Sequence, residues 1–182
     1  IGRHRVPVVG RPRVAIISTG DEIIPPGDPL THGGVYDSNA AILAAAVEEL
    51  GGQPEVLGCF ADDLEELSLV LLKALDHDLV VLSGGTSKGA GDLSYQAVSQ
   101  LPPPGIVAHG VALKPGKPIC LAVTGTTPVV ILPGFPTSAV FTFHEFVAPV
   151  IRRLGGRPEV DSHHLAATLP MRVNSERGRT EY

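Results

Sequence analysis

The chain has 182 residues, a formal net charge of -5 at pH 7 and 43% hydrophobic residues. That length supports one sizeable core and a fragment of a second domain. An acidic balance without a long basic run argues against nucleic acid as the main partner. No apolar stretch approaches the ~18 residues that a membrane span needs.

Aromatic residues are only 4% and tryptophan is absent. Alanine, valine, leucine and glycine carry the hydrophobic share, and such small residues suit strands packed under crossover helices. Residues 1–10 are basic rather than signal-like. Cys59 and Cys120 both lie in apolar, strand-like runs, so reduced thiols in a cytoplasmic protein are expected. The chain opens without methionine at "IGRHRVPVVGRPRV" and closes on "RGRTEY" in mid-pattern. Both ends are expected to continue in a longer protein, with residues 1–12 a linker from a missing N-terminal half.

In chain order, Val14 to Ile17 is an apolar β-branched run and predicts a buried strand. "STGDEIIPPGDPLTHGGVYDSN" then reads as a long loop rich in Gly, Pro and Asp. Ala40 to Leu50 predicts a helix with Ile42, Leu43, Ala46, Val47 and Leu50 on one face, capped by Ser38 or Asn39. Glu55 to Phe60 predicts the next strand. Asp62-Asp63-Leu64-Glu65 has capping-box spacing and opens a helix to Leu75. Leu79 to Leu82 is a third strand, and Leu93 to Leu101 a shorter helix. Ile106 to Leu113, Ile119 to Val123 and Val129 to Leu132 predict further strands. Thr137 to Leu154 predicts one long apolar helix with Pro136 at its first turn. Successive β-then-α units imply an α/β fold with a mostly parallel sheet and helices on both faces, over residues 13–156. After Arg157 the helical period vanishes, and residues 157–182 read as the start of a separate β domain.

In an open parallel sheet, ligands bind at the carboxyl ends of the strands. The first strand ends in Ser18-Thr19-Gly20-Asp21-Glu22, the second near Asp62-Asp63, and the third in "SGGTSKGAGD", with Asp92 last. Glycines there let backbone N–H groups approach an anion. An acidic side chain beside such a loop suits a hard cation such as Mg2+ placed between carboxylate and phosphate. "SGGTS" is neither a Walker A loop nor a dinucleotide fingerprint, and it also fits a plain strand-to-helix turn. In "KPGKP", Lys114 and Lys117 bracket a rigid turn and could face one anion or only solvent. "LPGFPTS" can present backbone N–H groups at a helix start, or simply punctuate strand and helix. His163 and His164 are adjacent and would point to opposite faces of a strand. His32 and His109 lie in or near candidate loops, but no zinc signature or Ser-His-Asp set is present.

The order of these clusters is more specific than any one of them. "STGDE", "DSN" at 37–39, "ADD" at 61–63, "SGGTSKGAGD", "KPGKP" and "LPGFP" resemble the MoeA and gephyrin E-domain family over residues 13–156. These are molybdopterin molybdenumtransferases. "VNSERGRTEY" is similar to the start of that family's C-terminal β-barrel domain. The resemblance implies a MogA-like molybdopterin-binding fold. It also implies a homodimer, a MogA-type adenylyltransferase partner, and no nucleic acid or membrane. The reaction it implies is Mg2+-dependent cleavage of adenylylated molybdopterin, with molybdenum passing from molybdate to the dithiolene.

By position, Glu22, Asp62, Asp92, Lys114 and Lys117 match the family's catalytic groups. Asp62 and Asp92 would hold the metal. Thr19, Gly20, Asp21, Ser38, Asn39, Gly84, Gly85, Thr86, Ser87, Gly89, Pro115, Gly116, Pro133, Gly134, Pro136 and Ser138 would contact the nucleotide-pterin ligand. The family's usual "LPGNP" is "LPGFP" here, with Phe135 replacing an amide. A basic residue often found before "KPGKP" is absent, with Gly110 near that place. Two other functions fit the same fold: a MogA-like adenylyltransferase, and a non-catalytic scaffold or CinA-like binding module.

Overall fold

The structure, a computed structural model, describes residues 2–84, 92–158, 165–168, 170–172, 175 and 177–182. The strands are β1 (Arg13–Thr19), β2 (Ile23–Ile24), β3 (Val35–Tyr36), β4 (Gln53–Phe60), β5 (Leu79–Ser83), β6 (Pro104–His109), β7 (Leu113–Lys114), β8 (Cys120–Thr124), β9 (Thr127–Leu132) and β10 (Thr180–Glu181). The helices are α1 (Ser38–Glu49), α2 (Leu64–Ala74), α3 (Leu93–Ser99), α4 (Pro136–Thr142) and α5 (Ala148–Leu154), with a π-helical segment, Phe143–Val147, between the last two.

Six strands form one sheet in the order β4-β1-β5-β9-β8-β6. β4, β1, β5 and β9 run parallel to one another, whereas β8 runs antiparallel to both β9 and β6. β6 therefore points the same way as the parallel set, and its carboxyl end at His109 joins theirs. The sheet is three-layered, as the α/β reading predicts. Val14 and Ile16 face a core built with α1, α4, the π segment and α5. Ala15 and Ile17, one residue out of phase, face a second core built with α2 and α3. This period-two split is what a strand buried on both faces requires.

Several local readings need correction. The loop between β1 and α1 contains β2 and β3, which pair in parallel. Asp37, not Ser38 or Asn39, caps α1, accepting from the Ala40 N–H at 3.0 Å. The capping residue of α2 is Asp63, one position later than predicted, accepting from Glu66 N–H at 2.8 Å. The Asp63 N–H is already spent on the Ala61 carbonyl, so the reciprocal half of the box does not form. The predicted strand 106–113 breaks at Gly110, whose φ of +80° turns the chain away from the sheet after His109.

The predicted helix 137–154 is interrupted by the π segment, where the Ala148 N–H reaches back to the Phe143 carbonyl. Pro149 explains this. It offers no N–H to the carbonyl one turn before it, and its ring crowds that carbonyl; a widened turn relieves the conflict. Neither cysteine is in a disulfide, and Cys120 is buried as expected. Cys59 is only half-buried, and its S–H donates to Asp37 at 3.3 Å. At the carboxyl tail, β10 pairs with β7, and Tyr182 stacks on Phe141 at 5.4 Å. No helix among the described residues is long and apolar enough to cross a membrane.

Candidate functional site

The carboxyl ends of β1, β5, β9 and β6 surround a cleft of about 850 Å³. Of the predicted residues, Thr19, Glu22, Asn39, Gly84, Lys117, Pro133, Gly134, Pro136 and Ser138 line it. Gly20, Asp21, Ser38, Asp62, Asp92, Lys114, Pro115 and Gly116 stand outside that lining. Gly85, Thr86, Ser87, Lys88, Gly89 and the pair His163–His164 lie outside the described residues. Ser83 and Phe135, within "SGGTS" and "LPGFP", also line the cleft, as do Ser18, Asp37 and His109. The sequence signal for Asp37 is an aspartate in "DSN" directly before an apolar helical run, a capping position; its side chain caps α1 and is 5% exposed.

Asn39 ties three motifs together. Its Nδ2 donates to Ser83 Oγ at 2.8 Å and to the Gly134 carbonyl at 2.9 Å. One amide thus holds "DSN", the end of β5 and the loop after β9 in register around the cleft. Among the described residues, the buried Asn39 Oδ1 and Ser18 Oγ have no hydrogen-bond partner.

The two lysines of "KPGKP" part company. Lys117 lines the cleft. Lys114 Nζ lies 2.9 Å from Glu181 Oε1 on β10. The structure therefore brings one of these lysines, not both, to the lining of the cleft.

The acids gather beside the cleft. The Asp62 N–H donates to Asp21 Oδ1 at 3.0 Å. Burial, with repulsion from Asp21 and Glu22, holds the Asp62 carboxyl above the usual range. Asp92 caps α3, accepting from Tyr95 N–H at 3.0 Å. Burial raises its carboxyl too; bonds from the Tyr95 and Ser94 N–H groups oppose this, Asp62 adds repulsion and His109 attraction. Asp62 and Asp92 are therefore electrostatic neighbours. His109 belongs to the same group, its ring stacked on Tyr95 with centroids 4.4 Å apart. Among the described residues, no group of three or more His, Cys, Asp and Glu could hold a metal ion unaided.

The sign of the Asp62 shift makes a prediction. A carboxyl raised in the fold favours the folded state below its unfolded value, and that advantage is lost as pH rises through the folded value. At neutral pH the Asp62 charge weakens the fold. Asp62→Asn is expected to raise Tm at pH 7, and the gain is expected to vanish below the unfolded value of about 3.9. Because the group is mostly solvated, screening limits the gain to a few tenths of a kcal/mol, roughly 1 °C. A Tm that falls at pH 7 would show that the carboxylate is instead stabilised in place.

Against known proteins, residues 15–153 match the family described as "Probable molybdopterin binding domain". The chain is 36% identical over 188 aligned positions to molybdopterin molybdenumtransferase 2 of Mycobacterium tuberculosis, covering 100% of this chain and 46% of that protein. It is 42% identical over 158 positions to the molybdopterin molybdenumtransferase of a Nostoc species, covering 84% of this chain and 36% of the relative. The solved structure of a molybdopterin biosynthesis MoeA protein from Pyrococcus horikoshii superposes with a TM-score of 0.73 at 41% identity, over 81% of this chain and 36% of that one. A molybdenum cofactor biosynthesis protein B at 15% identity and a TM-score of 0.59 shares the fold. The chain spans less than half the length of the two molybdenumtransferases and of the MoeA structure. The family match runs from the second residue-pair of β1 to the last turn of α5, through every strand end around the cleft, and the chain belongs to the molybdopterin-binding domain family.

Proposed function

We propose that this chain is the molybdopterin-binding domain of a molybdenumtransferase, acting in molybdenum cofactor biosynthesis on adenylylated molybdopterin and molybdate. The observation that carries the reading is the 36% identity along the entire chain to a protein bearing that name. The cleft is consistent with it. A phosphoanhydride and a molybdate are both anions, and Lys117 brings a point charge to the wall that they would occupy.

Mg2+ fits the acids on one count. It usually takes one or two carboxylates together with substrate phosphate, rather than a complete protein cage. Asp62 and Asp92, each raised by burial and repelling the other, are such a pair. They would hold the ion, which would supply charge neutralisation for the departing phosphate. Asn39, for its part, fixes the loop ends so that the cleft keeps its shape, and Lys117 orients the anionic end of the ligand.

Lys117→Ala is expected to weaken binding of molybdate and of the AMP-pterin by roughly ten- to a hundredfold, the loss of one charge-assisted contact. Titration calorimetry on this chain and its variant measures it. Unchanged affinities would reduce "KPGKP" to a structural turn. The wider reading is tested on the full-length protein by release of AMP from adenylylated molybdopterin in the presence of molybdate. Formation of adenylylated molybdopterin from ATP, without such release, would assign the adenylyltransferase function instead.

A further inference from the structure

Lys117 sits on a loop between β6 and β8 that the six-stranded sheet does not hold. Within the loop, the Val111 N–H donates to the Lys117 carbonyl at 2.9 Å. Gly116 pins one point of it. Its φ is +113°, and a Cβ built there would lie 2.3 Å from Cγ2 of Thr142, a fully buried residue of α4. The approach to that point is β7, which belongs to a separate two-stranded sheet whose other member is β10. The Thr180 N–H donates to the Ala112 carbonyl at 2.9 Å, and the Tyr182 N–H to the Lys114 carbonyl at 3.1 Å. Between them, Glu181 pairs with the Lys114 side chain. Tyr182 is fastened in turn to α4 and the π segment: its ring stacks on Phe141, and its hydroxyl donates to Glu145 Oε2 at 2.8 Å. Thr180, Glu181 and Tyr182 all stand outside the cleft lining.

We propose that Thr180, Glu181 and Tyr182 form a strap that positions Lys117 for its anion. Phe141, which holds the strap, and Thr142, which holds Gly116, are consecutive residues of α4. Both ends of the short span from Lys114 to Lys117 are therefore referred to one turn of helix. Pro115 fixes its own φ between them, and Gly116 is packed too closely on Thr142 to swing freely. A displacement of β7 is thus passed on to Lys117 rather than absorbed. Holding the loop before the ligand arrives removes part of the ordering cost of binding. These are positioning residues, acting through β7 without touching the anion. The inference rests on the reading of Lys117 as an anion contact, and it adds residues 180–182 to what sets that contact.

The experiment compares wild type with Tyr182→Ala, Tyr182→Phe, Lys117→Ala and the double variant Lys117→Ala/Tyr182→Ala. Two quantities are read: amide hydrogen exchange by NMR, and molybdate affinity by titration. In Tyr182→Ala the Val111 amide, bonded to the Lys117 carbonyl, is expected to exchange several-fold faster, while the amides of β1 keep their rates. Molybdate affinity is expected to fall roughly two- to tenfold, the scale of ordering one long side chain on binding. Tyr182→Phe keeps the stack on Phe141 and is expected to restore both quantities. In the Lys117→Ala background, Tyr182→Ala is expected to cause no further loss, because Lys117 conveys the whole effect. An unchanged Val111 amide would overturn the strap. So would β1 amides that quicken equally, which would mark general loosening of the fold. With a wild type that binds molybdate, unchanged affinity in Tyr182→Ala, or an equal further loss in the Lys117→Ala background, would overturn it as well. If wild type binds no molybdate, the functional reading fails, and the exchange of Val111 alone decides the strap.

Discussion

Gly84→Ala is expected to cost about 3 kcal/mol or more of stability, a Tm loss of roughly 6–12 °C for a chain of this size. Gly84 has a φ of +114°, where side-chain-bearing residues are strained. A Cβ built there would lie 2.2 Å from the Thr19 carbonyl and 2.9 Å from Thr19 Oγ1. The first obstacle is backbone at the end of β1, so no side-chain rotation removes it. Either β1 and β5 separate at their carboxyl ends, or the turn after Ser83 changes course. Both outcomes disturb the floor of the cleft, so ligand affinity is expected to fall with Tm. Thermal melts and molybdate titration on the same sample check the two together. A variant melting within about 2 °C of wild type would show that the rim yields easily, because so small a shift is worth less than ~1 kcal/mol.

How much of this was legible beforehand depended on the length scale of the signal. The strands buried on both faces announce themselves as short β-branched runs, and β1 and β5 fall within one or two residues of their predicted spans. The carboxyl-edge rule brings Thr19, Glu22 and Gly84 to one cleft lining, because topology alone delivers strand ends there, but Asp62 and Asp92, read from the same rule, stand beside it. What failed was local competition. Three consecutive candidates, Asp37, Ser38 and Asn39, can each cap a helix, and only packing decides that Asp37 does so while Asn39 bridges Ser83 and Gly134. Likewise, Lys114 and Lys117 are equivalent in sequence. Glu181, sixty-seven positions beyond Lys114, separates them by taking one lysine. Phe135 was seen only as a missing amide; its exposed ring at the cleft is a tertiary fact.

Asp92→Asn is expected to lower Mg2+-dependent AMP release by the full-length protein on the order of 10²-fold, the scale of losing one preorganised electrostatic contact. Its stability should not fall. Asp92 has two separable tasks. As the cap of α3 its oxygen accepts the Tyr95 N–H, and asparagine ranks with aspartate in that task. As a carboxylate it sits where burial and the nearby Asp62 charge raise it above its usual range. Its charge therefore opposes folding at neutral pH, and below the unfolded value near pH ~3.9 that cost disappears. Asparagine keeps the cap and removes the charge, so Tm is expected to hold or rise at pH 7. Asp92→Ala loses the cap as well and is expected to cost about 1 kcal/mol. The pair of variants separates the roles, and the discriminating readout is a thermal shift on adding Mg2+ with AMP. Wild type should gain Tm, and the asparagine variant should not. A side chain whose charge is unfavourable beside the cleft is one whose repulsion an arriving cation relieves. If Asp92→Asn responds to Mg2+ like wild type and turns over at the same rate, capping α3 is the whole of what Asp92 does, and the cation belongs elsewhere.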